Sequence, residues 1–158
     1  MSNAGKRIGK ELNECTTDPP AGCKVSLKHE DNLHEWDVYL EAPSNSVYAG
    51  GHFHLTLSLP KDYPFKPPVL SFVTKIWHPN VTNDGKGSMC LGMLRPDAWK
   101  PPNKIKAVLE MVRHLLLEPN VEDPVEAQVA DQYKRDKPAF DKQVKEWVRK
   151  YAQKKGAE

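Results

Sequence analysis

Long apolar runs are missing from this sequence. None of its hydrophobic stretches approaches the roughly 20 residues that cross a bilayer, so no membrane span is expected. No charged segment followed by an apolar stretch opens the chain, which speaks against a secretory signal. Cysteine is scarce: Cys15, Cys23 and Cys90 are the only three, an odd number with no C-x-x-C pair. That argues against a disulfide framework and a cysteine-based zinc site, and leaves room for one thiol with a chemical role. Net charge is close to zero, at +2, so general nucleic-acid binding is not expected. A Walker-type phosphate loop and a dinucleotide fingerprint are both lacking. These absences lead us to expect a soluble protein of the cytoplasm or nucleus, without membrane or nucleic-acid partners.

What is present suits one compact domain. The chain has 158 residues and 39% hydrophobic content, enough for a real core and too little chain for two. We place the domain at residues 5–153, with short tails at 1–4 and 154–158. Residues 5–17 read as a helix, with Ile8, Leu12 and Cys15 near one face and Lys6, Arg7 and Lys10 elsewhere. Asp18-Pro19-Pro20 ends it. The period then changes to two. Val25 and Leu27, then Trp36, Val38 and Leu40, then Phe53, Leu55, Leu57 and Leu59 alternate with polar residues; Val69–Val73 is a shorter run. The links are short and rich in Asp, Asn, Ser, Pro and Gly, which predicts an antiparallel meander of four strands.

Residues 77–102 show little periodicity, yet Trp77, Leu91, Met93, Leu94 and Trp99 are too apolar for disorder. We expect an ordered, functional loop. Helical spacing returns at Ile105, Val108, Leu109, Val112, Leu115 and Leu116. Asp123-Pro124 predicts the start of a further helix through Val125, Val129 and Tyr133, and a last one carries Phe140, Val144, Trp147, Val148 and Tyr151. The fold class is therefore α+β: one helix, a four-stranded sheet, an ordered loop and three helices. A second basic cluster, Lys142, Lys145, Arg149, Lys150, Lys154 and Lys155, reads as a solvated face near the end of the chain. His52 and His54 share a strand face but lack further ligands at useful spacing, so no metal site is expected.

The residues of the irregular segment resemble a known family. His78-Pro79-Asn80, followed after a short loop by Cys90-Leu91, is similar to the active-site signature of ubiquitin-conjugating enzymes. Tyr63-Pro64-Phe65-Lys66-Pro67-Pro68 before it, and Trp99-Lys100-Pro101 and Glu118-Pro119-Asn120 after it, fit the same family in the same order. The resemblance covers about residues 6–151, and it is closest to the compact single-domain ubiquitin carriers.

The resemblance implies a set of roles. Cys90 would carry the modifier's C-terminus as a thioester, since a thiolate is both a good nucleophile and a fair leaving group. The alternative for Cys90 is a small buried hydrophobe. Cys15 and Cys23 fall on core faces. Two roles are open to Asn80: donor to the oxyanion formed when an amine attacks, or builder of the loop. His78 is implied to be structural rather than a general base, with Pro79 stiffening the turn. Asp123 matches an acidic residue that orients an incoming lysine, and as Asp before Pro it also suits a helix cap. Phe65, Lys100, Pro101 and Pro102 would form a ligase-docking patch with the first helix, unless Phe65 packs in the core. Lys6, Arg7 and Lys10 match a basic helix face met by activating enzyme and ligase. Implied partners are ubiquitin, the ubiquitin-activating enzyme, RING-type or HECT-type ligases and protein substrates. The chain itself would be a monomer without a cofactor, since the activating enzyme uses the ATP.

Three features depart from the family's pattern. The loop Val81–Met89 is longer than in compact members. Gly92 stands where many members have an acidic residue. Lys24 replaces a small polar residue on the first strand, which weakens the case for a second ubiquitin on that face. Leu94-Arg95, Trp99-Lys100-Pro101 and Leu117-Glu118-Pro119-Asn120 are compatible with a carrier of ubiquitin or of another modifier such as the NEDD8-type protein. A partner-binding variant without activity and a thiol hydrolase remain as rivals from other classes.

Overall fold

A computed structural model describes residues 3–154. Met1, Ser2 and the stretch 155–158, including Lys155 of the basic cluster, half of the first expected tail and most of the second, lie outside the described residues. Helix α1 (Asn3–Thr17) starts two residues ahead of the expected position and buries Ile8 and Cys15, as its apolar stripe requires. Five strands follow: β1 (Cys23–His29), β2 (Asn32–Glu41), β3 (His52–Ser58), β4 (Val69–Phe72) and β5 (Ser88–Met89). They form one antiparallel meander in sequence order. Helices α2 (Ile105–Leu117), α3 (Ala127–Arg135) and α4 (Lys137–Tyr151) complete the chain. Among the described residues no helix is long and apolar enough to cross a membrane.

Register explains the core. Leu27, Trp36, Leu57, Leu70 and Met89 lie side by side across all five strands, and Val25, Val38, Leu55 and Phe72 form a second row. Both rows face the helices, because side chains two apart share a face. Their neighbours Lys24, Tyr39 and His54 line up on the opposite, outer face. There the His54 ring stacks on Tyr39, and its Nε2 lies 2.7 Å from Asp37 Oδ1. Helix α2 buries six apolar side chains, from Ile105 to Leu116. Each such burial is worth about 1.5–3 kcal/mol, which outweighs the missing side-chain cap at Lys104. The carboxylate of Glu11 in α1 supplies that cap instead: its Oε1 accepts from the Ile105 N–H at 2.9 Å.

Two expectations need correcting. The sheet has a fifth strand, β5, inside the stretch expected to be irregular. Two residues are too few for periodicity to register. The strand forms because Gly87 lets the chain lie against β4: Phe72 N–H donates to Gly87 O at 2.8 Å, and a Cβ on Gly87 would stand 2.0 Å from Phe72 O. The second correction concerns Asp123-Pro124, which does not open a helix. Helix α3 begins at Ala127, and Val125 lies outside it. The Val125 and Glu126 N–H groups both donate to Pro79 O, at 2.8 and 3.1 Å, so the segment is held as a loop against the His78–Asn80 turn. Asp123 is therefore no helix cap. The same signal does work ten or so residues later: Asp136 accepts from Ala139 N–H at 3.2 Å, with a proline in the first turn of α4.

Candidate active site

Cys90 follows β5 directly. Met89 and Leu91 on either side are buried, so alternation turns Cys90 outward, and it is exposed. Cys15 and Cys23 are buried, and burial pushes their thiols up to about 12 and about 11. They stay protonated near neutral pH, which leaves Cys90 as the accessible thiol. After Leu91 the chain makes a 3₁₀ turn, Gly92–Leu94. Gly92 has a φ of +58°, which L side chains rarely adopt, and a Cβ there would meet Met111 Sδ at 3.1 Å. The departure from an acidic residue at this position thus has a local backbone reason.

The loop Val81–Met89 closes on itself in an orderly way. Thr82 N–H donates to Ser88 O and Ser88 N–H to Thr82 Oγ1, while Asp84 Oδ1 accepts from Thr82 Oγ1 and Lys86 N–H. Those two bonds hold the Asp84 carboxyl below its usual range. The longer loop therefore turns within itself and delivers the chain to β5.

His78 is buried. Its Nε2 lies 2.8 Å from Leu115 O and so carries the proton, while Nδ1 accepts from Asn80 N–H at 3.0 Å. Burial lowers its pKa to about 4. Both ring nitrogens are committed to backbone and the ring is neutral at pH 7, so it has no lone pair to offer as a base. Pro79 continues the turn, and its carbonyl holds the α3 approach as described above.

Asn80 is fully buried. Its Nδ2 donates to Asn120 O at 2.8 Å, and its Oδ1 accepts from Asn120 N–H at 2.9 Å. A second Nδ2–H reaches toward Asp123 O at 3.4 Å, a long contact. Asn120 Oδ1 in turn accepts from the N–H groups of Glu122 and Asp123, at 3.1 and 3.2 Å. Asn80 therefore builds the loop that carries Asp123. The Asp123 carboxylate stands half exposed and is paired with the Arg95 guanidinium, a partner that the reading of the sequence did not give it.

The two proline-rich loops form a second, connected region. Phe65 is 76% exposed, which excludes core packing, while its neighbour Tyr63 is buried. Trp99 Nε1–H donates to Pro64 O at 2.7 Å, and the Tyr63 and Trp99 rings lie 6.0 Å apart, so the loops are tied together. Lys100 and Pro102 are exposed and Pro101 half-buried. Lys6 and Lys10 are exposed on α1, but Arg7 is largely engaged within the protein. It donates from Nε to Glu11 at 3.1 Å and from Nη2 to Asn103 O at 2.7 Å, and it lies over the Tyr63 ring. Glu11, 6% exposed, also accepts from the Tyr63 hydroxyl. This carboxylate locks α1, the Phe65 loop and the start of α2 together. Glu11, like Arg95, carries a structural role that its place in the sequence does not announce. For Glu11 the one available hint was a carboxylate on the stripe shared by Ile8 and Cys15. Among the described residues no three His, Cys, Asp or Glu side chains gather as a metal site would need.

An α+β domain with a meander sheet and an exposed thiol behind a buried His-Pro-Asn turn defines a narrow class. The ubiquitin-conjugating enzyme family model matches residues 7–148, and the chain belongs to that family. It is 42% identical over 150 residues, covering 95% of each chain, to ubiquitin-conjugating enzyme E2 14 of Schizosaccharomyces pombe. The protein is thus a transferase with a ubiquitin-conjugating function.

Proposed function

We propose that this enzyme accepts activated ubiquitin on Cys90 and passes it to lysine side chains with the help of a RING-type ligase. The observation that carries this reading is the exposure of Cys90 between two buried neighbours, in a chain of this family. In the loading step the Cys90 thiolate attacks the thioester carbonyl carbon on the activating enzyme. A new C–S bond forms, the old one breaks, and the activating enzyme's thiol leaves. In the second step a lysine amine attacks the Cys90 thioester. A C–N bond forms, the C–S bond breaks, Cys90 leaves as thiolate, and the ammonium proton passes by way of Asp123 to water.

Asp123 suits that role because its backbone is fixed by Asn120 while its carboxylate is half exposed. A lysine has an unperturbed pKa near 10.4, so an orienting carboxylate helps to strip its proton and aim it. Asn80 contributes chiefly by holding that loop. Its long Nδ2–H contact to Asp123 O is the donor that an oxyanion would recruit, with a small shift of the loop. Phe65, Lys100, Pro101 and Pro102 form the ligase patch, an exposed aromatic on rigid, mutually bonded loops that loses little entropy on docking. Lys6 and Lys10 offer the free basic face of α1 to activating enzyme and ligase, and Arg7 supports it from below. The enzyme acts as a monomer in cytoplasm or nucleus, and ATP is used by the activating enzyme.

The test is a loading assay with ubiquitin, NEDD8-type and SUMO-type modifiers, each offered with its own activating enzyme. Ubiquitin alone should load, on Cys90. Loading by the NEDD8-type modifier instead would change the carried protein and leave the chemistry. Loading by none would return the chain to a partner-binding role, and turnover of small esters without an activating enzyme would make it a hydrolase.

A further inference from the structure

The Asp123 carboxylate already has one cationic partner: the Arg95 guanidinium holds its Oδ2. Both ends of this ion pair stand on fixed backbone. Arg95 closes the 3₁₀ turn that follows Cys90: its N–H donates to Gly92 O at 3.1 Å, and its carbonyl accepts from the N–H groups of Ala98 and Trp99 at 3.0 and 2.9 Å. Asp123 is held through Asn120 and Asn80. The pair thus runs from the chain leaving Cys90 to the loop built by Asn80. Two acidic residues near Asp123 in sequence, Glu122 and Glu126, have partners of their own. Glu122 lies 3.5 Å from Lys134, and Glu126 accepts from Asn83 N–H at 2.9 Å. Yet the side chains of Arg95 and Asp123 are 41% and 49% exposed, so water screens the pair and it opens at little cost.

We propose that Arg95 is a latch on Asp123 with which an acceptor lysine competes, so that Arg95 sets how readily the charged enzyme gives its cargo to lysine. The inference rests on the lysine-orienting role assigned to Asp123 above. A guanidinium on Oδ2 offsets part of the carboxylate's charge, so the ammonium of an approaching lysine meets a competing cation already in place. Arg95 touches no reacting atom. It is a positioning residue that acts through Asp123. Ion pairs this exposed shift an equilibrium by about two- to fivefold, which bounds the size of the effect.

The experiment uses enzyme charged beforehand with ubiquitin and freed of activating enzyme, so that loading does not enter the rates. Discharge onto free lysine at several concentrations is compared with discharge onto hydroxylamine, a nucleophile already uncharged at neutral pH. Arg95→Gln should raise the second-order rate for lysine about two- to fivefold at low salt and leave hydroxylamine unchanged. The gain should shrink between about 0.01 M and about 1 M salt, as the screening length falls from ~30 Å to ~3 Å. Arg95→Lys should keep much of the restraint, and the gain should vanish in an Asp123→Asn background. A slower or unchanged lysine rate in Arg95→Gln overturns the latch, as does a gain equal for hydroxylamine or one that persists without the Asp123 charge. If Asp123→Asn alone is silent toward lysine, the role of Asp123 falls, and the latch falls with it.

Discussion

Lowering the pH from 7 to 5 should weaken this protein through one residue, His78. Burial holds the ring neutral, with a pKa of about 4 in the fold against 6.5 in a free chain. The unfolded state therefore binds the extra proton first. Stability is at its full value above pH 6.5, falls as pH drops toward 4, and levels off below that. Integrating between those two values gives a loss of about 2 kcal/mol at pH 5 and about 3 kcal/mol at the acid limit. That is a large share of the 5–15 kcal/mol typical of a domain. The assay is urea unfolding at pH 7 and pH 5, for wild type and His78→Gln. The variant loses the bonds to Leu115 O and Asn80 N–H and is less stable throughout. Its drop between the two pH values, however, should be smaller than that of wild type by about 2 kcal/mol. His54, His114 and the other histidines are common to both proteins and cancel. Equal drops would refute the reasoning, because they would mean that His78 can take a proton within the fold.

Two further outcomes follow from the same geometry. Asn80→Ala leaves the half-buried N–H and C=O of Asn120 without their partner, which should cost about 1–3 kcal/mol in urea unfolding. It should also slow discharge onto lysine by about 100-fold while loading of Cys90 persists; equal loss of both steps would mean that Asn80 serves the fold as a whole and not the transfer step. Phe65→Ala should leave unfolding within about 0.5 kcal/mol of wild type, since the ring is exposed, and weaken binding of a RING-type ligase by at least about tenfold in titration calorimetry. Unchanged affinity would remove Phe65 from the docking patch.

The helices and the first four strands could be read from the sequence because their signals are local. Trp36, Val38 and Leu40 sit two apart and are all buried, and the α2 stripe from Ile105 to Leu116 is buried as its spacing predicts. The exposure of Cys90 between the buried Met89 and Leu91 is not of this kind, because its alternation starts from the short strand β5. What could not be read depends on distant partners. Asp123-Pro124 is a sound local start signal, but Pro79 O takes the donors that a helix there would have used. Glu11 caps a helix 94 residues away, and Arg95 finds its carboxylate 28 residues on. Strand β5 exists because the chain at Gly87 can approach Phe72, a contact that no run of two residues announces.

The central claim is that Cys90 carries a protein modifier as a labile acyl group. Mass spectrometry of the enzyme after incubation with ubiquitin, activating enzyme and ATP tests it most directly, with wild type, Cys90→Ser and a Cys15→Ala/Cys23→Ala double variant side by side. The account predicts one ubiquitin per chain on wild type and on the double variant, released by excess thiol, and a thiol-resistant oxyester on Cys90→Ser. A thiol-labile adduct that persists in Cys90→Ser, or is lost from the double variant while the protein remains folded, would contradict it.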